Sequence, residues 1–425
     1  MKRRIAVVGG GISGLTAAYA LRHRARVTLF EAADRLGGHA HTHDVVAGGA
    51  HAVDSGFIVH NTRTYPLLSG LFAELGVATR ETEMSMSVSC RGCGLVYAGA
   101  RGLGGLFPRP GTALRGAYVR MLAEVPRFHR AARRLLAAPG GDGPTLGEFL
   151  AAGHFSGYLA GHFVVPLVSA VWSCPSARVE DYPARYLFAF LANHGMLAVR
   201  GSPRWRTVAG GSRAYVARIA GRLPDVRAAT PVRSVRRVPG GVEVRDGSGA
   251  PHRFDAAVIA AHAPDALRLL ADPTGAERAV LGAFGYTSSR VLLHTDGGVL
   301  PAARRARASW NHTLPSCAPD ADGPRVSYDM NRLQRLGADG DVVVTLNDDG
   351  TVDPARVLAR MEYAHPVYTP DAVAARRRLP DLNDGVLAFA GAYHGWGFHE
   401  DGCRAGLAAA RSLGAVGDRA AGWAA

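Results

Sequence analysis

The first thirty residues change hydrophobic period twice. RIAVVGG is a continuous apolar run and predicts a buried strand, GISGLTAAYALRHR carries apolar residues at helical spacing and enters through glycine, and ARVTLFEAA predicts a second buried strand. Together they form a βαβ unit. The next stretch, RLGGHAHTHDVVAGGAHAVDSGFIVHN, reads as a glycine-rich loop followed by short strands, and LLSGLFAELG returns to helical spacing. Residues 84–100, MSMSVSCRGCGLVYAG, alternate as a hairpin with RGCG at its turn. From about residue 110 to 200 the period is helical with proline and glycine breaks. SVRRVPGGVEVRDG predicts a hairpin around Pro239-Gly240-Gly241, and FDAAVIAAHAP a further buried strand. VLLHTDG, RVSYDMN and DVVVTLN predict strands, and DGCRAGLAAARSLG a last helix.

Strands of the N-terminal type recur near 254–262 and 386–391, so the pattern predicts an α/β chain with one sheet domain assembled from three separated segments. The expected boundaries are 1–83, 205–265 and 385–425 for that domain, with 84–204 and 266–384 forming a second, mixed α+β domain. A length of 425 residues suits such a division, and 48% hydrophobic with 20% charged residues describes an ordinary folded chain with a sizeable core. There is no internal repeat.

Charge changes the picture little. The net charge of +14 comes from arginine, since Lys2 is the sole lysine, and with abundant alanine and glycine this looks like coding bias. No basic stripe interleaved with aromatics accompanies it, so no nucleic-acid partner is expected. Cys90, Cys93, Cys174, Cys317 and Cys403 are odd in number and irregular in spacing, and no apolar signal segment precedes the first strand; a cytoplasmic chain with free thiols is expected. The stretch YLAGHFVVPLVSAVWS is interrupted by His162 and Pro166 and is too short to span a bilayer. Residues 115–136 place Tyr118, Met121, Leu122, Val125, Phe128, Ala132 and Leu135 on one helical face and Arg120, Arg127, Arg130 and Arg134 on another, with Pro126 a point of kinking or breaking. Such a helix suits a peripheral contact with anionic lipid; the ordinary reading is a solvated arginine face over the domain's core.

Gly9-Gly10-Gly11-Ile12-Ser13-Gly14 fits GxGxxG directly between strand and helix, and Glu31 closes the second strand where a ribose-binding acid is expected. Gly9 makes the turn, Gly11 admits a pyrophosphate, Gly14 lets helix and strand pack, and the helix N-terminus offers amides to phosphate. The pair Gly37-Gly38, preceded by Arg35-Leu36, follows the acidic strand.

At this point RLGGH resembles the RxGG motif of the flavin-containing amine oxidase and phytoene desaturase superfamily. VDSGFIVHN resembles its DxG segment, Pro231-Val232-Arg233-Ser234-Val235 its adenine-contacting strand, FDAAVIAAHAP its strand beneath the cofactor, and GFHEDGCRAGLAAA its final helix. The resemblance implies a Rossmann-type, GR2-like discontinuous FAD-binding domain beside an amine oxidase-like substrate domain. It implies cofactor contacts at Gly9, Gly11, Ile12, Ser13, Gly14, Glu31, Ala32, Arg35, Gly37, Gly38, His39, Gly56, Phe57, Ile58, Val232, Ala261, Gly391, Glu400 and Asp401. DSGFIVHNTRTYPLL, SPRWRTVAGGSRAYV, RVSYDMNRLQ and AGAYHGWGFHEDG are similar to a bacterial group encoded beside cyclopropane-fatty-acyl-phospholipid synthases. That narrower likeness implies a fatty acyl substrate, desaturase-like hydride removal and a lipid-methyltransferase partner, with Trp172, Asn311, Tyr328 and Asn331 as secondary pocket residues.

Superfamily amine oxidases commonly place a lysine near the flavin; here no lysine follows residue 2, which argues against ordinary amine oxidation with peroxide release without excluding it. Gly391-Ala392-Tyr393 carries no cysteine where monoamine oxidases attach FAD, so the FAD is expected to be non-covalent. His60, Tyr393, His394, Trp396 and His399 are the catalytic candidates, with Asn61 beside His60, because histidine moves protons near neutrality and tyrosine orients or donates. A non-catalytic flavoprotein partner of a lipid methyltransferase is the third reading. His394, His399, Glu400 and Asp401 could locally be read as metal ligands, but the surrounding motif makes them a flavin-side wall, and no metal is expected. Cys90-Arg91-Gly92-Cys93 is a lone CxxC on a hairpin turn: zinc needs two further ligands and a redox pair a helix N-terminus, so it is read as structural.

Overall fold

The computed structural model describes residues 2–141, 143–198, 201–318 and 322–414. Its central layer is a five-stranded parallel sheet in the order Leu387–Phe389, Ala256–Ile259, Arg3–Val8, Ala25–Phe30, Asp225–Arg227. The central strand shows why these residues choose this state. Ile5 and Val7 point into a core shared with the helices Ile12–Leu21 and His399–Ser412, whereas Ala6 and Val8 point into one shared with the Val232–Phe254 strands. A strand covered on both faces must be apolar at every position, as Ala256–Ile259 also is. The two flanking helices meet closely because the last one presents glycine: a side chain at Gly406 would collide with the Ser13 carbonyl.

A seven-stranded mixed sheet forms the second layer, in the order Val357–Val367, Gly285–His294, Val343–Leu346, Arg325–Asp329, Trp310–Leu314, Met86–Cys90, Val96–Gly99. Its one parallel pairing among the described strands, Trp310–Leu314 with Met86–Cys90, joins segments more than 200 residues apart in sequence. Helices Gly116–Ala137, Val165–Trp172 and Ala184–Asn193 pack against it around Phe128, Phe188 and Phe190.

The structure decides three expectations. Pro126 does not break its helix, which runs through it from Gly116 to Ala137. Tyr118, Met121, Phe128 and Ala132 of that helix are buried in the core beneath it while Arg127, Arg130 and Arg134 are exposed, which is the ordinary reading of a solvated arginine face over a core. The CxxC turn is not alone, because the fold brings His162 and Cys317 beside it. Among the described residues no helix is long and apolar enough to cross a membrane.

Candidate active site

The carboxyl end of Arg3–Val8 and the first turn of Ile12–Leu21 open onto a cavity of about 830 Å³. Gly9, Gly11, Ile12 and Ser13 line it, and a side-chain carbon at Gly11 would meet nothing within 4 Å. Backbone amides thus face open space at a helix N-terminus, the arrangement that binds phosphate. Gly14 does not line the cavity: its Cα abuts the Gly9 carbonyl, which leaves no room for a Cβ, so it serves strand-helix packing. Glu31 lines the wall with its carboxylate fixed, one oxygen accepting from the Gly10 amide at 2.6 Å and the other from the Ala33 amide at 2.9 Å. Ala32, Gly37, Gly38 and His39 continue this wall. Arg35 falls outside it; its guanidinium donates to the Gly38 carbonyl at 2.9 Å and so shapes the loop that forms the wall.

Gly56, Phe57 and Ile58 extend the wall beyond His39, whose carbonyl accepts from the Phe57 amide at 2.8 Å, and Val232 and Ala261 line the cavity as well. Asp54 anchors the Gly56 segment. Wholly buried, its carboxylate accepts from the Ser212 amide and hydroxyl, the Thr42 hydroxyl at 2.6 Å and the Gln334 amide at 3.0 Å. Burial raises its pKa to about 6 even against these donors.

The late segment divides. Gly391, Tyr393, Trp396 and His399 line the cavity; His60 and His394 do not. The Tyr393 ring folds back over Gly391, so the glycine makes room for that ring, while Gly397 takes a φ of +94° against Tyr368 and Pro366. His399 stacks on Phe57 with ring centroids 3.8 Å apart, and its Nε2 lies 3.2 Å from the Tyr215 hydroxyl. Burial pushes its pKa down to about 3, aided by His60, and burial alone holds His394 near 4. His60 sits behind Phe57, edge-on to Phe72, and burial depresses it to about 4. These rings are neutral at pH 7. Burial also keeps the Tyr393 phenol protonated, its pKa raised well above the ordinary range.

Glu400 and Asp401, expected either to contact the cofactor or to cap the last helix, take the capping role, and Glu400 caps a different helix. Glu400 accepts from the Leu67 and Leu68 amides at 3.1 and 3.0 Å, at the start of Pro66–Leu75, and Asp401 accepts from the Trp396 and Phe398 amides ahead of its own helix. Neither lines the cavity. Asn61 likewise caps a turn, accepting from the Arg63 and Thr64 amides. Asn311 is spent within the sheet on Ser87, Ala308 and Ser327, and Asn331 donates to the Gly340 carbonyl; Trp172 and Tyr328 do reach the cavity.

Sequence reading missed the wall supplied by Val357–Val367. Tyr363 and His365 line the cavity from alternate positions of this strand, with His39 packed 5.0 Å from the first ring and 5.3 Å from the second. The signal was period-two alternation in VLARMEYAHPV, blurred by its arginines, glutamate and proline. Four cavity-lining side chains carry a buried polar atom without a partner: His39 Nε2, His365 Nδ1, Tyr393 Oη and Trp396 Nε1. Buried donors of this kind are costly unless a ligand satisfies them. A helix N-terminus lined by glycine, a fixed acid at the end of the second strand and unpartnered buried polar atoms on the lining fit FAD.

Residues 12–356 match the family model described as flavin containing amine oxidoreductase. The chain belongs to that family. Its cavity suits the flavin cofactor of that oxidoreductase family, and FAD is the cofactor the lining fits. Within the family, coproporphyrinogen III oxidase of Mycobacterium tuberculosis is 30% identical over 291 residues, covering 63% of this chain and 61% of the relative. The chain therefore matches about three-fifths of the length of these curated relatives. Cyclohexylamine oxidase from Brevibacterium oxydans shares the fold with a TM-score of 0.70 at 18% identity, covering 97% of this chain and 99% of that one. A fatty acid isomerase from P. acnes superposes with a TM-score of 0.67 at 15% identity, covering 95% and 97%.

Proposed function

We propose that this oxidoreductase removes hydride from a hydrophobic substrate, and that the substrate is a fatty acyl chain. The observation that carries the reading is the distribution of charge along the cavity. Its charged lining groups, Glu31, Arg233, Asp265 and Arg268, belong to the parallel-sheet end, whereas the far wall is built from groups such as Met84, Val171, Trp172, Phe190, Trp310 and Leu346. Among the described lining residues, that far wall offers no carboxylate to an ammonium ion and no arginine to a substrate carboxylate. Methylene groups gain roughly 0.8 kcal/mol each from such burial, so a long chain suits it better than a charged substrate.

Bound FAD supplies the two-electron acceptor. The chain's own residues hold the substrate and exclude water. Trp396 and Tyr393 present hydrogen-bond donors, and His399, neutral and stacked on Phe57, lines the wall without carrying charge. Oxidation of a porphyrinogen is the second reading, favoured by the 30% identity with coproporphyrinogen III oxidase and disfavoured because the lining arginines, Arg233 and Arg268, belong to the parallel-sheet end and the far wall offers none for its carboxylates. The sole lysine, Lys2, is exposed ahead of the first strand. The flavin absorbance of the anaerobic holoenzyme should bleach on addition of acyl phospholipid. Bleaching by an amine or by coproporphyrinogen, with none by acyl lipid, would overturn the reading; bleaching by none of the three would point to a non-catalytic flavoprotein partner of a lipid methyltransferase.

A further inference from the structure

We propose that Cys90, Cys93, His162 and Cys317 form a tetrahedral zinc centre that pins three elements of the second domain together. Their ligand atoms all lie within 4.8 Å of one another. The Cys90 and Cys317 sulfurs are 3.7 Å apart, and the Cys93 sulfur is 3.5 Å from His162 Nε2. Zinc bonds of about 2.3 Å to sulfur and about 2.0 Å to nitrogen, at the tetrahedral angle, place two sulfurs about 3.8 Å apart and a sulfur and a nitrogen about 3.5 Å apart. Both spacings match. A disulfide instead needs its sulfurs at about 2.05 Å.

The local structure presents each donor. Cys90 ends the strand Met86–Cys90; its amide donates to the Leu95 carbonyl at 2.8 Å and its carbonyl accepts from the Gly94 amide at 2.9 Å, a tight turn that brings Cys93 back beside it. His162 lies in the π-helical turn Ala160–Val164, a distortion common at functional positions. Its Nδ1 is 3.2 Å from the Tyr158 carbonyl, which leaves Nε2 as the ligating nitrogen, and its carbonyl accepts from the Tyr97 hydroxyl at 2.8 Å. A backbone carbonyl on the second imidazole nitrogen is the usual support of a ligating histidine. Cys317 follows the strand Trp310–Leu314, and the Arg91 amide donates to the Leu314 carbonyl at 2.9 Å. At Gly92 a side-chain carbon would come within 3.1 Å of the Cys317 backbone nitrogen, so the turn seats closely against that loop.

Four protein donors close the coordination shell, which is the pattern of a structural site, and none of the four lines the flavin cavity. The ion would tie the edge hairpin to the helical layer and to the loop after Trp310–Leu314. Two of the three joints rest on single residues far away in sequence, which is why a lone CxxC showed nothing of them.

Holoenzyme produced in zinc-supplemented medium and purified without chelators should contain about one zinc per FAD by elemental mass spectrometry. Cobalt exchanged into the wild-type protein should give the intense visible absorption and thiolate charge-transfer bands of a tetrahedral site. Cys93→Ser, Cys317→Ser and His162→Gln should each lose the zinc while keeping FAD. If these variants fail to fold, the wild-type cobalt spectrum decides. Wild-type protein that takes up neither zinc nor cobalt would overturn the proposal, as would a disulfide among these cysteines in native peptide maps.

Discussion

At Gly11 and Gly14 one motif divides into two physical jobs. Open space surrounds the position a Gly11 side chain would take, so Gly11→Asp should fold, with a carboxylate aimed at the phosphate site. The expected result is a soluble, colourless protein with a near-native circular dichroism spectrum; a yellow variant with normal FAD content would refute the phosphate assignment. Gly14→Ala, by contrast, should fail through packing, because its Cβ has nowhere to go beside the Gly9 carbonyl. Residue identities in this motif were legible because each glycine answers a local steric demand. Glu400 and Asp401 were not, since an acid at a helix start serves a ligand or a cap equally well on sequence alone, and only the position of Pro66–Leu75 shows which amides Glu400 receives. Trp396 is the residue where chemistry is most exposed to test: Trp396→Phe removes an unpartnered buried N–H but keeps most of the ring. If that donor serves flavin or substrate, the variant should retain stability and lose activity by roughly tenfold, the scale of one hydrogen bond; unchanged kinetics would assign Trp396 to packing.

At the scale of elements, buried carboxylates act as joints. Glu400 of the last helix neutralises the N-terminus of Pro66–Leu75, a helix whose own N-cap, Tyr65, makes no side-chain capping bond. Glu400→Ala leaves the Leu67 and Leu68 amides buried without their acceptor and should cost about 2 kcal/mol. Its check is a lowered urea midpoint with the denaturant slope unchanged. Strong period-two or period-3.6 runs were readable from sequence: the N-terminal βαβ unit, the hairpin around Gly240 and the final helix all lie where the apolar pattern places them. Val357–Val367 escaped because one of its faces stays half exposed and carries Arg360 and Glu362, so its alternation looks like solvent-facing polarity. The π turn at Ala160–Val164 had no readable signal at all, and the Tyr97 hydroxyl that donates to its His162 carbonyl lies 65 residues away in sequence.

At the scale of the whole molecule, the fold has buried many imidazoles in neutral form. Burial lowers His60, His194, His312, His365 and His394 to about 4 and His399 to about 3. In the unfolded chain each would titrate near 6.5. As pH falls through 6.5, the unfolded state therefore takes up protons that the folded state refuses, and stability drops with them. Buried carboxylates act with the opposite sign: Asp54, raised to about 6, is protonated in the folded state before the unfolded one and offsets part of the loss below that pH. Above about 6 the histidines act without this offset, and the net charge of +14 grows in the same unfavourable sense on acidification. The thermal midpoint of the holoenzyme should accordingly fall steadily from pH 7.5 to 5.5. His312 is the place to assign the effect, because it lies outside the flavin cavity, wholly inside the second layer, with Nδ1 3.1 Å from the Pro166 carbonyl. His312→Phe should lower stability at pH 7.5 through the lost hydrogen bond yet show a shallower fall toward pH 5.5, since one proton-accepting group is missing from the unfolded chain. A midpoint that stays level or rises on acidification, or a His312→Phe slope identical to wild type, would mean that these imidazoles are charged inside the fold.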